Sequence, residues 1–209
     1  MSVNGLFITI EGIDGAGKST QAQRLAVALR ARGLEVVLTR EPGGTRLGAA
    51  MRDLLLDPEV HLSDWAECFL YLSDRALHVA EVIRPALDAG RCVVAERFAD
   101  STLAYQCYGR GLDLDLVRQL NGEAAPGLTP ALTVLLDVPP ETGAGRRATH
   151  DRIEAAGLAM HRRVRDGYLA LAKEAPSRFV VIDATQAADR VAAEVLAAVE
   201  RVVATRGVR

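Results

Sequence analysis

Five short stretches of this chain are almost continuously apolar: Leu6–Ile10, Val36–Thr39, Cys92–Ala95, Leu132–Leu136 and Phe179–Ile182. Each is rich in β-branched residues and too short for a helix, a pattern that predicts strands covered on both faces, as in a parallel sheet. Between them the apolar period lengthens to that of helices, over Gln21–Arg32, about Asp64 to Ala89, Arg152–Lys173 and Asp189–Ala204. The alternation specifies a doubly wound, three-layer α/β fold, a five-stranded and mostly parallel sheet flanked by helices. Ligands in such folds collect beyond the carboxyl ends of the strands. The residues closing each run are therefore the first candidates for chemistry: Glu11, Arg40-Glu41, Glu96-Arg97, Asp137 and Asp183. Taken singly, each can be a solvated charge at a strand end, and that reading is preferred for Asp137 and Asp183.

At 209 residues and 49% hydrophobic, the chain is long enough for one large domain spanning residues 1–209. Its 25 basic and 27 acidic side chains leave a net charge of −2, which makes no broad electrostatic case for nucleic acid or an anionic membrane surface. Only Lys18 and Lys173 are lysines, so the basic chemistry rests on arginine, whose fork suits phosphate. Cys68, Cys92 and Cys107 are odd in number and lack metal-ligand spacing, and the four histidines form no metal-binding pair, so reduced thiols are expected. With no leader-like N-terminus and no run of membrane-spanning length, the expectation is a soluble, cytoplasmic protein.

Directly after the first strand stands Gly12-Ile13-Asp14-Gly15-Ala16-Gly17-Lys18-Ser19-Thr20. Strand, glycine-rich turn, Lys-Ser and amphipathic helix in this order are a P-loop, which binds a nucleoside triphosphate. Its glycines let backbone N–H groups turn toward phosphate oxygens, Lys18 adds a mobile positive charge, and the new helix points its N-terminus at the same anion. Ser19 offers a hydroxyl to Mg2+; Glu96 can bring a carboxylate near the metal, and Arg97 a guanidinium near the transferred phosphoryl group. A glycine-rich turn that binds nothing is the bland alternative, and four coincident signals argue against it.

The segment Thr39-Arg40-Glu41-Pro42-Gly43-Gly44-Thr45 narrows the choice. Together with Glu96-Arg97-Phe98, Asp100–Gln106, Gly109-Arg110-Gly111, Leu136–Glu141, Asp151-Arg152-Ile153-Glu154 and Ile182–Thr185, it resembles thymidylate kinase of the bacterial type, in order and over nearly the whole chain. The resemblance implies transfer of the γ-phosphoryl group of ATP to dTMP, giving dTDP and ADP for dTTP biosynthesis, with Mg2+ and as a homodimer. By motif position it assigns the dTMP site to Asp14, Arg40, Pro42, Arg52, Tyr71, Arg75, Arg97, Ser101, Thr102, Tyr105 and Gln106. Tyr71 takes the place of an aromatic that stacks on thymine, and Arg75 lies one turn later on the same helix face. Asp14 is expected to accept from the sugar 3′-hydroxyl, and Tyr105 to crowd a ribose 2′-hydroxyl. Periodicity alone would make the stretch Phe69 to Leu72 a core stripe.

Residues 143–154 are similar to the family's lid, though shorter. Some relatives carry an arginine inside the P-loop; with Ala16 there instead, the resemblance hands the catalytic arginine to the lid, to Arg147 or Arg152, without deciding between them. Glu96 stands where aspartate is common, Phe98 where tyrosine or histidine is, and Tyr71 where phenylalanine is. Two rivals are weaker. A deoxynucleoside kinase suits Glu96-Arg97 but not the Arg40–Thr45 loop, and a GTPase switch needs an Asn/Thr-Lys-x-Asp element that neither lysine supplies.

Overall fold

The computed structural model describes residues 5–146, 152–153 and 156–206. All five expected strands form: β1 (Phe7–Glu11), β2 (Val36–Arg40), β3 (Cys92–Glu96), β4 (Leu132–Asp137) and β5 (Phe179–Asp183). They pair wholly in parallel, in the order β2-β3-β1-β4-β5. Every strand reaches one residue beyond its apolar run. Glu11, Arg40, Glu96, Asp137 and Asp183 are thus the last rungs of the ladder, and Arg40 sits in register with Glu96. The central strands β1, β3 and β4 are buried on both faces as expected, whereas β2 and β5, lacking a neighbour on one side, are partly exposed.

The period-two alternation splits the sheet between two clusters. Ile8 and Ile10 pack with Leu25 and Leu29 of α1 (Lys18–Arg30), while Phe7, Val93 and Ala95 pack with Ile83, Ala86 and Leu87. In the middle of the sheet, Thr9 donates to Thr133 at 3.0 Å, so the two buried hydroxyls satisfy one another.

The helix expected from Asp64 to Ala89 is continuous but not uniform. After α3 (Asp64–His78), a π-helical turn spans Val79–Ile83 and leads into α4 (Arg84–Asp88). Pro85 has no N–H to donate back along the helix, and the Arg84 N–H bonds instead to Val79, five residues earlier. Two helices not expected from periodicity are α2 (Arg46–Leu56), capped by Thr45, and α6 (Leu114–Ala124), capped by Asp113. Between them lie α5 (Ala99–Thr102) and a π-helical segment, Leu103–Gly109. The chain finishes with α7 (Pro140–Gly145), α8 (Gly157–Glu174) and α9 (Ala188–Arg206). Cys68, Cys92 and Cys107 are buried free thiols. Among the described residues, no helix is long and apolar enough to cross a membrane.

Of the two strand-end acids expected as solvated charges, one differs. Asp137 is no solvated cap: both its oxygens accept from Arg165 of α8, at 2.7 and 2.8 Å. Asp183 is exposed and closes a turn by accepting from the backbone and hydroxyl of Thr185.

Candidate active site

The turn after β1 is built by glycines in the left-handed region, with φ of 140° at Gly12, 79° at Gly15 and 89° at Gly17. Gly15 also has no room for a side chain: a Cβ there would stand 2.1 Å from the carbonyl oxygen of Gly143. Gly143 in turn abuts the Asp14 carbonyl, so this small residue packs α7 against the phosphate loop. Ile13 and Ala16 are buried. Gly17 begins α1 without a side-chain cap, leaving the first-turn N–H groups free for an anion. Lys18 is only 5% exposed and donates to the Ile13 carbonyl at 2.8 Å, with Asp14 at 3.7 Å. Burial, reinforced by the like charge of Arg97, pushes its pKa down to about 8.

Ser19 and Glu96, named from sequence as metal ligands, meet: the hydroxyl donates to Glu96 Oε1 at 2.9 Å. A hydroxyl and a carboxylate are hard oxygen donors of the kind Mg2+ takes. Among the described residues no group of three acidic, histidine or cysteine side chains could hold a metal ion. Ser19, Glu96 and Arg40 line a cleft of about 680 Å³ between α1 and the loop after β2. Thr20 is exposed beside it on α1.

A second cavity, about 550 Å³, adjoins the phosphate loop. Asp14, Pro42, Arg52, Tyr71, Arg75 and Arg97 line it together with Ser101, Thr102, Tyr105 and Gln106. Arg40 is the one expected acceptor residue that faces the other cleft. Tyr71 and Arg75, one turn apart on α3, reach the cavity side by side, and burial pushes the Tyr71 phenol pKa up. Arg75 is 1% exposed and firmly held, donating to Glu41 Oε2 at 2.8–2.9 Å, to Thr102 at 2.9 Å and to Asn121. Glu41 also takes His78, at 2.9 Å. Arg52 donates to the Pro42 carbonyl at 3.1 Å; burial and the charge of Arg40 lower its pKa, against the opposing pull of Glu96.

Arg97 is the centre of the arrangement. It has φ of +68°, and its guanidinium donates to the Gly12 carbonyl, to Ser101, Tyr168 and Tyr105 at 3.1–3.2 Å, and to Asp14. Tyr105 donates to the other Asp14 oxygen at 2.8 Å. Burial alone would raise the Asp14 pKa, but Arg97 and Lys18 hold it well below the usual carboxylate range. Gln106 donates to Glu67 at 2.9 Å.

Of the two lid arginines, Arg147 lies outside the described residues. Arg152, next to the cavity-lining Ile153, donates to the Leu55 carbonyl at 3.0 Å and pairs with Glu67 at 2.6 Å. This placement puts it with Leu55 and Glu67 rather than on the phosphate loop. Arg146 donates to the Ala184 carbonyl at 2.8 Å. The cavity also includes Glu41, Leu56 and Ile153, none of which had been assigned to it from sequence. Glu41 was within reach, since it stands inside the Arg40–Thr45 motif; Leu56 and Ile153 carry no polar signal.

The sequence profile of the thymidylate kinase family matches residues 10–195. A thymidylate kinase of Deinococcus radiodurans is 54% identical over 198 residues, 93% of this chain and 96% of its own. One from Desulfovibrio desulfuricans is 50% identical over 213 residues, 97% and 98% of the two chains. The crystal structure of thymidylate kinase from Ehrlichia chaffeensis matches with a TM-score of 0.78 at 36% identity, covering 94% of this chain and 98% of that one. Identity at this level over nearly the full length of both partners is kinship and not a shared fold alone: the chain belongs to the thymidylate kinase family.

Proposed function

We propose that this chain transfers the γ-phosphoryl group of ATP to dTMP, with the donor phosphates on the loop Gly12–Thr20 and the acceptor in the cavity beside it. The observation that carries the reading is the cavity: an aromatic face, Tyr71, and buried arginines converge within one space that opens next to a P-loop. Attack of one phosphate on another crowds negative charge, so the protein's work is positioning and neutralisation rather than covalent chemistry.

Tyr71 stacks on thymine, Arg75 addresses the base edge, and Asp14 with Tyr105 holds the deoxyribose. Arg97 and Arg52 take the acceptor phosphate, and Arg40 covers the side facing Glu96. Lys18 moves from the Ile13 carbonyl to the donor phosphates and follows the transferred group. Ser19 and Glu96 would hold Mg2+, which when bound would supply charge neutralisation for the phosphates. An arginine of the 143–154 lid completes the donor side; for Arg152 that requires leaving Glu67. The whole chain is read as one domain acting in the cytoplasm. It is read as a homodimer, a reading supported by Leu47 and Leu54 of α2 and Phe69 of α3, which all present half-exposed apolar side chains.

ATP consumption measured across dTMP, dUMP, dCMP, dGMP, dAMP and thymidine tests the reading. dTMP is expected to lead, with dUMP about fourfold weaker for the loss of one buried methyl group worth about 0.8 kcal/mol. Faster turnover of thymidine or of another monophosphate sinks the assignment.

A further inference from the structure

Glu11 is fully buried beneath the acceptor cavity and does not line it. Its Oε1 accepts from the Phe98 backbone N–H at 2.7 Å, and its Oε2 from the hydroxyls of Ser101 at 2.6 Å and Tyr168 at 2.9 Å. Those two hydroxyl oxygens, 2.7 Å apart, are the ones that accept from Arg97, at 3.1 and 3.2 Å. We propose that Glu11 is the positioning residue that orients Arg97 toward the acceptor phosphate, acting through Ser101 and Tyr168. The inference rests on the acceptor reading above.

Hydrogen-bond polarity makes the argument. A guanidinium only donates, so both hydroxyl oxygens must keep lone pairs toward Arg97 and send their protons the other way. An ionised carboxylate, which only accepts, is the group that can receive them. An amide in place of the carboxylate puts an N–H where an acceptor is needed and leaves one donor without an acceptor, while protonation of the carboxyl removes the negative charge that draws both hydroxyl protons away from the cation. Through Phe98, Glu11 also fixes the backbone immediately after the left-handed Arg97.

The charged and titratable groups around Glu11 are Asp100 of α5, Arg97, Lys18 of α1, Arg178 before β5 and Tyr168 of α8. Burial, with the like charge of Asp100, pushes the Glu11 pKa up to about 7. Its ionised, orienting form is therefore lost as the pH falls through neutrality.

The test is the pH profile of kcat/KM for dTMP in the wild type, Glu11→Gln and Tyr168→Phe, with KM for ATP followed alongside. Glu11→Gln is expected to lose about tenfold or more in kcat/KM for dTMP at pH 8, the worth of hydrogen bonds to a charged group, with KM for ATP little changed. Its acid limb should retreat from near pH 7 to that of the substrate phosphate itself, whose second ionisation lies near pH 6. Tyr168→Phe removes one donor to the carboxylate, so its limb should move to higher pH with a partial loss of rate. Wild-type efficiency with an unmoved limb in Glu11→Gln overturns the proposal. Should that variant fail to bind ATP, and so have failed to fold, Tyr168→Phe decides: an unchanged rate and an unshifted limb overturn it equally. Wild-type protein inert toward dTMP at every pH is a different failure, that of the acceptor reading, and takes this proposal with it.

Discussion

The acceptor cavity and the phosphate loop differ in how their charges are occupied before any ligand arrives. In the cavity Arg97 holds Asp14 and three hydroxyls, Arg75 is locked between Glu41, Thr102 and Asn121, and Gln106 is tied to Glu67. At the loop, Lys18 leans on a backbone carbonyl, the first N–H groups of α1 have no side-chain cap, and Ser19 and Glu96 hold only each other. The cavity is organised by side chains from distant segments; the loop presents backbone donors and one movable cation. Substrate selection needs a shape fixed in advance, whereas phosphoryl transfer needs groups that follow moving charge.

The largest expected effect comes from the loop side. Lys18→Ala should lower kcat by about a hundredfold or more, as the removal of a single preorganised charge does elsewhere, with the melting transition kept. Near-normal turnover of the folded variant would break the comparison at once.

Arg97→Ala attacks the other side and should behave differently, lowering stability together with activity. It leaves Asp14 with only Tyr105 and the more distant Lys18, a loss of about 3 kcal/mol by analogy with broken buried pairs, to be read from urea unfolding. A variant that is inactive yet as stable as the wild type would show that the cavity is not held together by its own charges.

Tyr71→Ala sharpens the contrast. It should weaken dTMP by about tenfold, from lost buried area and a stack worth about 0.5–1.5 kcal/mol, while ATP binding holds. Equal loss of both ligands would make Tyr71 a core residue.

The smallest effect is a matter of pH. The charged form of Lys18 is the useful one, and in the free protein its pKa is about 8 because burial and Arg97 disfavour charge. Accordingly kcat/KM for ATP should hold below that pH and decline above it, while the limb in kcat lies higher, since bound phosphates favour the ammonium. An ATP profile flat through this range would remove the depressed lysine from the account.

Legibility in the sequence followed the same divide. The strands were readable because continuous apolar runs have few alternatives, and the phosphate loop because its chemistry is local: glycines, lysine and serine lie within nine residues of one another. The cavity is non-local, and only the family resemblance brought Tyr71 and Tyr105 together. The role of Glu11 could not be read at all, since its donors stand 90 and 157 positions away. α2 and α6 were missed although Thr45 and Asp113 are ordinary N-cap residues. The π-helical turn before Pro85 is the kind of break a proline in an apolar helical run signals. For Arg152 the resemblance supplied a role but not a place, because a charged side chain near Glu67 pairs with whichever partner the fold brings within reach.

The central claim, an acceptor cavity complete before the donor binds, is tested most directly by calorimetric titration of dTMP into ligand-free wild-type and Lys18→Ala protein. Both proteins are expected to bind dTMP, with affinities within about fivefold, because Lys18 donates to the Ile13 carbonyl and does not line the cavity. Binding of dTMP that appears only once an ATP analogue is present, or that vanishes in Lys18→Ala, would contradict it.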